Sequence, residues 1–172
     1  MEKICQTKTV LFEGQQAPIN LLPTIALDGY QIKPFTLEGE AKNRASGAFF
    51  EIEPNSHTAV AKITESGVQL IEHAIKGNGW FLSISPTGEI NQTYIDTDRP
   101  WSLNYGTGYA FCFFTRTRGL TVQNLTWPPF RPDMEKIITE DSKELPKVFW
   151  KAYHSQLNEL SPQAAFPQLT QK

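Results

Sequence analysis

The chain has 172 residues, of which 40% are hydrophobic and 20% are charged, and its formal net charge at pH 7 is −2. This length suits one domain with a single core, and the absence of a basic stripe argues against a nucleic-acid partner. No run approaches the roughly 18 apolar residues of a membrane helix, which argues against a membrane partner. Cys5 and Cys112 have neither metal nor redox spacing, and residues 1–6 lack a signal-peptide pattern, so we expect a reduced, cytoplasmic protein.

The N-terminal third alternates between strand and turn signals. Residues 1–46 are expected to add a strand and loops to a β core that begins at residue 47. Residues 6–13 predict a first strand, 14–23 a turn-rich connection, and 30–37 a further strand in which Pro34 implies an edge or a break. Residues 38–46 are polar and predict a loop.

The middle of the chain, residues 47–127, is dense in strand signals. Pro86 to Glu89 predict a turn that closes a hairpin between 79–85 and 89–96, and Arg118-Gly119 predict another turn. Several strands at this spacing, separated by Gly and Pro turns, are typical of an all-β sandwich or barrel. The predicted strands are 47–53, 58–64, 68–76, 80–85, 89–96, 109–115 and 120–127.

The last part, residues 128–172, differs in character. It opens with a proline-rich connector that cannot be a central strand. We predict a short helix over 133–140 with Pro132 at its first position, and a second helix from Pro146 to about Leu160. One face of the second helix carries a stripe at helical spacing, which we expect to pack on the β core. The tail, 161–172, is expected to be loosely held.

A glycine corner with a nearby carboxylate gives the central region a family resemblance. Glu72 is followed by six residues and then by Gly79, with a strand on either side. This pattern resembles the first motif of the cupin superfamily, and Asn104 to Phe111 stand where the second motif would fall. The resemblance covers about residues 47–127 and implies a jelly-roll β-barrel, here with two short C-terminal α-helices. It also implies a possible homodimer.

The sequence departs from the family where metal ligands would stand. Metal-binding cupins place two histidines before the glutamate and a third in the second motif. Here the first pair would fall among residues 65–68, which are Glu, Ser, Gly and Val, and the third at Tyr109 or Phe111. Of four expected ligands only Glu72 is kept, whereas a catalytic metal needs about three protein ligands. We therefore expect neither a metal nor a cofactor.

Glu72 is the leading candidate for chemistry. It shares one strand face with Leu70 and Ala74, and His73 lies on the other face. If Glu72 points into the core, its carboxyl could bind a ligand hydroxyl or amine, or act as a base with a raised pKa. If it points outward, it is an ordinary surface carboxylate, and the alternation alone leaves both readings open.

Aromatic residues concentrate in the same region, where they either fill the core or line a pocket. Tyr105 and Tyr109 stand beside glycine-rich turns, where a phenol can keep its hydroxyl hydrated. The predicted ligand-binding residues are Glu72, Tyr94, Tyr109 and Phe111.

Three functions remain open at this stage. The first is a metal-independent, cupin-like protein that binds a small molecule, such as a sugar or a flat organic acid. The second is a cupin-like isomerase or epimerase in which Glu72 performs acid–base catalysis with Tyr109 or His57. The third is a structural or interaction protein that docks a partner on the proline-rich connector and the stripe formed by Phe149 and Tyr153.

Overall fold

The computed structural model describes residues 9–160 of the chain. Within that range the order is eleven β-strands followed by one α-helix, with short 3-10 turns at Gly39–Asn43, Pro132–Met134 and Glu140–Ser142. The elements are β1 Thr9–Phe12, β2 Gln15–Leu21, β3 Ile25–Leu27, β4 Tyr30–Leu37, β5 Ser46–Ile52, β6 Ala61–Ile63, β7 Gln69–Ile84, β8 Ile90–Asp96, β9 Ser102–Gly106, β10 Ala110–Trp127, β11 Glu135–Ile137 and α1 Lys147–Leu160.

Two long antiparallel strands, β7 and β10, form the centre of the sheet. They pair from Ile84 opposite Ala110 to Gln69 opposite Trp127. The far edge of β7 pairs with β8 and β9, and the far edge of β10 pairs with β5 and β6. The sequence predicts two separate strands, 68–76 and 80–85, in place of β7, and two, 109–115 and 120–127, in place of β10. The structure corrects that prediction, because each predicted break is an irregularity within one continuous strand.

The irregularity lies at the glycine corner and confirms the need for glycine there. Gly77 has φ of +98°, and a Cβ built on it would lie 2.0 Å from the carbonyl oxygen of Gly119. A Cβ on Gly79 would lie 2.2 Å from the carbonyl oxygen of Phe114. The register between β7 and β10 shifts between Thr115 and Leu120. Only glycine allows the two bent backbones to approach this closely.

The sheet wraps around an interior cluster and is covered outside by two further clusters. The interior cluster joins side chains from distant strands, including Ile52, Phe81, Tyr105 and Val122. A second cluster packs α1 against the outer face of β7 and β10 and contains the buried thiol of Cys112. A third cluster lies under the β1–β2 hairpin. Side chains on the inward faces of the strands are therefore the candidates for a site inside the barrel.

The N-terminal region contains more strand than the sequence indicates. The predicted connection over 14–23 is largely β2, which pairs with both β1 and β4. Pro34 lies in β4 between the stretch that pairs with β3 and the stretch that pairs with β2. β4 is neither broken nor at an edge there, because it continues through Pro34 and pairs with β5 on its other side. The missing N–H falls in the gap between β3 and β2, where the Pro34 carbonyl accepts a hydrogen bond from the N–H of Leu22 at 2.8 Å.

The C-terminal region has one helix within residues 9–160, not two. The helix predicted over 133–140 is a 3-10 turn followed by β11, which pairs antiparallel with β6. The free edge of β6 offers this segment backbone partners, and that pairing overrides the local helix signals. The predicted tail, 161–172, lies outside the described residues.

The second predicted helix is confirmed as α1, and its stripe packs on the chain's own sheet. Phe149 has no exposed surface, and Tyr153, Leu157 and Leu160 pack beside it. The Arg116 guanidinium donates a hydrogen bond to Gln156 at 2.6 Å and holds the helix end. The stripe is therefore not free to dock a partner. No helix within residues 9–160 combines the length and apolar character that a membrane crossing requires.

Candidate functional site

The structure places the Glu72 side chain inside the sheet. Glu72 is opposite Leu103 of β9 and Asn124 of β10, and it shares the inward face with Leu70, which belongs to the interior cluster. Its exposed fraction is 1%. The open question about its orientation is thereby settled: the only carboxylate kept from the cupin-like motif is a core residue.

Two side chains donate hydrogen bonds to the same oxygen of Glu72. The Tyr105 hydroxyl donates to Oε1 at 2.7 Å, and the Asn124 amide nitrogen donates to Oε1 at 2.9 Å. The Asn124 amide oxygen in turn accepts a hydrogen bond from the Thr126 hydroxyl at 2.8 Å, which orients the amide. The other oxygen of Glu72, Oε2, is buried and has no hydrogen-bond partner among the described residues.

Burial dominates the electrostatics of this carboxyl group. Loss of hydration raises the pKa of Glu72 to about 7, against the opposing effect of the hydrogen bonds from Tyr105 and Asn124. The negative charge of Glu135 adds to the increase. Burial and the neighbouring Glu72 raise the pKa of Tyr105 well above its ordinary value, so its phenol stays protonated and keeps donating. Glu72 can therefore exchange a proton near neutral pH.

A second carboxyl group, Glu135, reaches the same region from β11. It is partly buried, and burial raises its pKa. Its charge raises the pKa of Glu72, Tyr105 and Tyr30. Its side chain accepts no hydrogen bond from residues 9–160. Glu135 is only partly buried and keeps contact with solvent, whereas Glu72 is fully buried.

A cavity of about 230 Å³ lies beside this network. Asn124 and Thr126 form part of its wall, and Glu135 is also exposed to it. Most of the remaining wall is apolar. The lining residues are Leu22, Ile25, Ile32, Pro34, Phe35, Thr36, Lys42, Ser46, Gly47, Ala48, Phe50, Leu70, Phe111, Asn124, Thr126, Pro129, Phe130 and Glu135. Asn124 thus joins the cavity wall to the carboxylate of Glu72.

The structure brings part of the predicted aromatic set to this site. Phe111 lines the cavity and packs edge-on against Tyr105, with ring centroids 4.9 Å apart. Tyr109 is half-buried, and its ring centroid lies 5.9 Å from that of Tyr105. It does not line the cavity. Phe111 is therefore a wall residue, whereas Tyr109 supports Tyr105 from the side.

The structure places Tyr94, a predicted ligand-binding residue, outside the cavity. Its side chain is 46% exposed and packs against Trp80 at 5.2 Å on the outer face of the sheet. The neighbouring residue, Ile95, is fully buried in the interior cluster. Because adjacent strand residues point to opposite faces, Tyr94 must point away from the cavity.

His57 also lies outside the site. Its ring packs against Phe114 and Tyr153 in the outer region covered by α1, and its Nδ1 lies 3.0 Å from the Thr58 carbonyl oxygen. It therefore forms no acid–base pair with Glu72. His73 alternates with Glu72 along β7 and lies on the opposite face, as predicted.

Sequence reasoning missed Asn124 and Glu135. Asn124 has a recognisable signal, since it continues the inward face of Leu120 and Val122 with a polar residue where an apolar one is expected. Glu135 has no such signal. The sequence pattern of its segment predicts a helix, and only the pairing of β11 with β6 turns its side chain inward.

The donor set around Glu72 does not suit a transition metal. Cupin metal sites use histidine nitrogens with the glutamate, whereas the partners of Glu72 are a phenol and an amide nitrogen that donate to it. Both are poor ligands for such ions. Across residues 9–160, no three His, Cys, Asp or Glu side chains gather in a way that could hold a metal ion.

Two solved structures resemble this fold. Oxalate decarboxylase from Bacillus subtilis aligns with a TM-score of 0.56 and 11% identity over 78% of this chain and 35% of its own. The capsular polysaccharide assembling protein CapF from Staphylococcus aureus aligns with a TM-score of 0.56 and 14% identity over 69% of this chain and 32% of its own. The chain thus spans about a third of the length of each.

At this level of identity, the likeness establishes the fold alone. Both proteins have cupin folds, and the chain described here has a cupin-like fold. No family model matches the sequence, and no curated protein matches it either.

Proposed function

We propose that this protein binds a small organic molecule inside its cupin-like barrel, without a metal ion, in the cavity next to Glu72. The observation that carries the proposal is the cavity of about 230 Å³ with a mostly apolar wall, which includes Asn124, whose amide donates to the Glu72 carboxyl group. A ligand that fills this cavity removes its apolar wall from water, which favours binding by roughly 25 cal/mol per Å² of apolar surface.

The cavity wall supports a small ligand with a mostly apolar body. Its volume of about 230 Å³ is below the roughly 300–1,000 Å³ of sites for drug-sized molecules. Phe50 and Phe111 offer aromatic surface, and Leu70 and Ile32 offer aliphatic surface. A sugar would place many hydroxyl groups against this wall without partners. A compact ring with one polar head group fits the lining better.

Methyl-resolved NMR tests this function. The protein is labelled at Ile and Leu methyl groups and mixed with small ring compounds that carry cationic, neutral or anionic head groups. We expect shifts for Ile25, Ile32 and Leu70, which line the cavity, and none for Ile138 and Leu145, which lie in the outer cluster. Equal shifts in both groups, or none in the cavity, would refute the proposal.

A cavity-filling variant sharpens the test. Ala48→Leu places three more carbon atoms at a residue that lines the cavity and should abolish the shifts. Ala26→Leu adds the same atoms on exposed β3, outside this cavity, and should leave them unchanged. Unchanged binding in the Ala48 variant would show that the compounds bind elsewhere.

One observation favours a second candidate, an isomerase or epimerase. Glu72 has its pKa raised to about 7, and Glu135 is a second carboxyl group with a raised pKa. Ionised Glu72 would take a proton from a carbon next to a carbonyl, leaving an enolate, and protonated Glu135 would return one. In this reading Glu135 replaces Tyr109 and His57 as the partner of Glu72.

Hydrogen exchange distinguishes the two candidates. Cyclohexanone in D₂O exchanges its α-hydrogens slowly, and proton NMR follows the exchange. An enzyme of this class would accelerate the exchange, and Glu72→Gln would remove the acceleration while the cavity methyl shifts persist. Exchange at the rate of buffer alone, with cavity shifts present, leaves simple binding as the function.

A further inference from the structure

We propose that the ligand is a small organic anion, a ring with one carboxylate group, whose carboxylate binds a row of hydroxyl groups and Lys42 at the mouth of the cavity. This inference rests on the proposed function and specifies the charge and the orientation of the ligand. It follows from the strand register, which separates the hydroxyl groups on β4 and β5 from the apolar side chains further along the same strands.

Three hydroxyl groups lie in a row across neighbouring strands of the cavity wall. Ser46 on β5 is directly opposite Thr36 on β4 and Thr126 on β10, and all three residues line the cavity. Directly opposite residues share one face of a sheet. Because neighbouring strands lie about 4.8 Å apart, the three residues form a polar band roughly 10 Å long.

Two of these hydroxyl groups keep a hydrogen to donate. The Ser46 oxygen accepts a hydrogen bond from the Phe130 backbone N–H at 2.8 Å, and neither Ser46 nor Thr36 donates to an acceptor within residues 9–160. The Thr126 hydroxyl, in contrast, donates within the protein. Since a hydroxyl group has one hydrogen to donate, Ser46 and Thr36 are the donors that the row offers to a ligand.

Lys42 lies at the same end of the cavity. It belongs to the 3-10 turn that joins the end of β4 to the start of β5, where Thr36 and Ser46 lie. Lys42 lines the cavity and is exposed, which places it at the mouth. It forms no ion pair with any other residue in the described part of the chain. The mouth therefore carries a cation beside two hydroxyl donors, and charge-assisted hydrogen bonds from such groups bind a carboxylate.

Further along the same strands the wall is apolar and has room for a ring. Pro34 is opposite Ala48, and Ile32 is opposite Phe50. All four residues line the cavity. An apolar cavity of about 150 Å³ binds benzene, so the volume of about 230 Å³ found here holds one ring and a small head group. A ring packed on this part of the wall directs its head group to the hydroxyl row.

Glu135 is the opposing charge, since it and Lys42 are the two charged residues that line the cavity. Glu135 enters the wall from β11, which pairs with β6, and β6 pairs with the start of β10 at Ala110 and Phe111. The hydroxyl row crosses β10 near its other end, at Thr126. A head group bound at this row is adjacent to Lys42 in the fold, and charge interactions weaken with distance. The row therefore favours an anion.

Benzoate, benzamide and benzylammonium test this assignment, because they share a ring and differ in the charge of the head group. Each compound is titrated at pH 8 into the full chain by calorimetry, with the cavity methyl shifts as the site readout. We expect benzoate to bind roughly 10-fold more tightly than benzamide, the difference between a charge-assisted and a neutral hydrogen bond. We expect benzylammonium to bind more weakly than either.

Two variants locate the head group. Lys42→Met removes the charge and keeps an apolar stem, and Thr36→Val removes a hydroxyl at nearly constant size. Neither side chain forms a hydrogen bond with another residue in the range 9–160, so both variants keep the hydrogen bonds of the fold. Each should lower the preference for benzoate over benzamide to about 3-fold or less. Lys151→Met removes the same charge from an exposed position on α1 and should keep the preference.

The outcomes separate the ligand class from the proposed function. If benzamide or benzylammonium binds as tightly as benzoate and shifts the cavity methyl groups, the cavity is a binding site but the anion assignment is wrong. If Lys42→Met has no more effect than Lys151→Met, the carboxylate does not bind at the hydroxyl row and the proposed orientation is wrong. If none of the three compounds shifts the cavity methyl groups, the proposed function fails as well.

Discussion

The phenol oxygen of Tyr105 lies 2.7 Å from Oε1 of Glu72, in the interior of the sheet. The two residues come from neighbouring strands, β9 and β7, and the same oxygen receives a second hydrogen bond from Asn124. Both donors therefore serve one carboxyl oxygen and leave the other without a partner. Oε2 is thus buried without a hydrogen bond to compensate its charge, which disfavours the ionised form of Glu72.

Replacement of the Glu72 carboxyl should remove much of the pH dependence of stability. The pKa of Glu72 is about 7 in the folded protein and 4.5 in the reference state, so the folded state binds more protons between those values. The free energy of unfolding should then fall by about 3 kcal/mol as the pH rises from about 4.5 to 7. Glu72→Gln should flatten this slope in urea unfolding measured at pH 5 and pH 8.

The exposed residue Glu89 provides the control for this prediction. Glu89→Gln removes the same charge from a solvated turn and should keep the slope of the parent protein. A residual slope in the Glu72 variant is expected, because burial also raises the pKa of Glu135. A slope in Glu72→Gln as steep as in the parent would mean that Glu72 is not the group that titrates.

Removal of the Tyr105 hydroxyl should weaken the interior network. Tyr105→Phe deletes one of the two donors to Glu72 and keeps the ring in the core. We expect a loss of about 1–3 kcal/mol of stability at pH 8, where the carboxyl is ionised, and a smaller loss at pH 5. A ¹³C NMR titration of the carboxyl group should show a further increase in the pKa of Glu72.

Tyr109→Phe is the matched control for this change. Its hydroxyl forms no side-chain hydrogen bond with the described residues, and its ring lies beside that of Tyr105. We expect a change within about 0.5 kcal/mol. If the two variants behave alike at both pH values, the hydrogen bond to Glu72 does not orient the site.

The glycine corner should be intolerant of a side chain. Gly77→Ala places a methyl group 2.0 Å from the Gly119 carbonyl oxygen and forces a non-glycine residue to φ of +98°. We expect a loss of at least about 3 kcal/mol by urea unfolding. Gly67→Ala has a similar φ of +78° with nothing within 4 Å, so it should lose only about 1–2 kcal/mol. Equal losses would show that crowding at the corner is unimportant.

The helix α1 should contribute to stability through its buried stripe. Phe149 is fully buried in the outer cluster, so Phe149→Ala should destabilise the protein by about 3–5 kcal/mol. Val148 is 58% exposed on the same helix, and Val148→Ala should change stability by about 0.5 kcal/mol or less. A small effect at Phe149 would show that this stripe contributes little to packing and is a candidate partner surface.

Local patterns predicted the parts of the site that lie on one strand. The alternation of Leu70, Glu72 and Ala74 and the corner glycines follow from strand geometry and backbone sterics, and both are found in the structure. The orientation of Glu72 could not be derived in this way. It depends on which face of β7 meets β9 and β10, and that is a property of the whole sheet.

The missed residues depend on contacts between distant segments. Glu135 is separated from Glu72 by more than sixty residues, and its segment becomes a strand only because β6 offers a free edge. Tyr94 was assigned to the pocket on its residue type, whereas its register opposite Trp80 places it outside. Residue chemistry identified candidates, and tertiary pairing decided which of them meet.

A crystal structure of the protein soaked with a compact ring compound, such as benzyl alcohol, tests the central claim most directly. We predict electron density for the ring in the cavity lined by Leu70 and Phe111. An empty cavity at a saturating concentration, or a probe bound only at the outer surface, would contradict it.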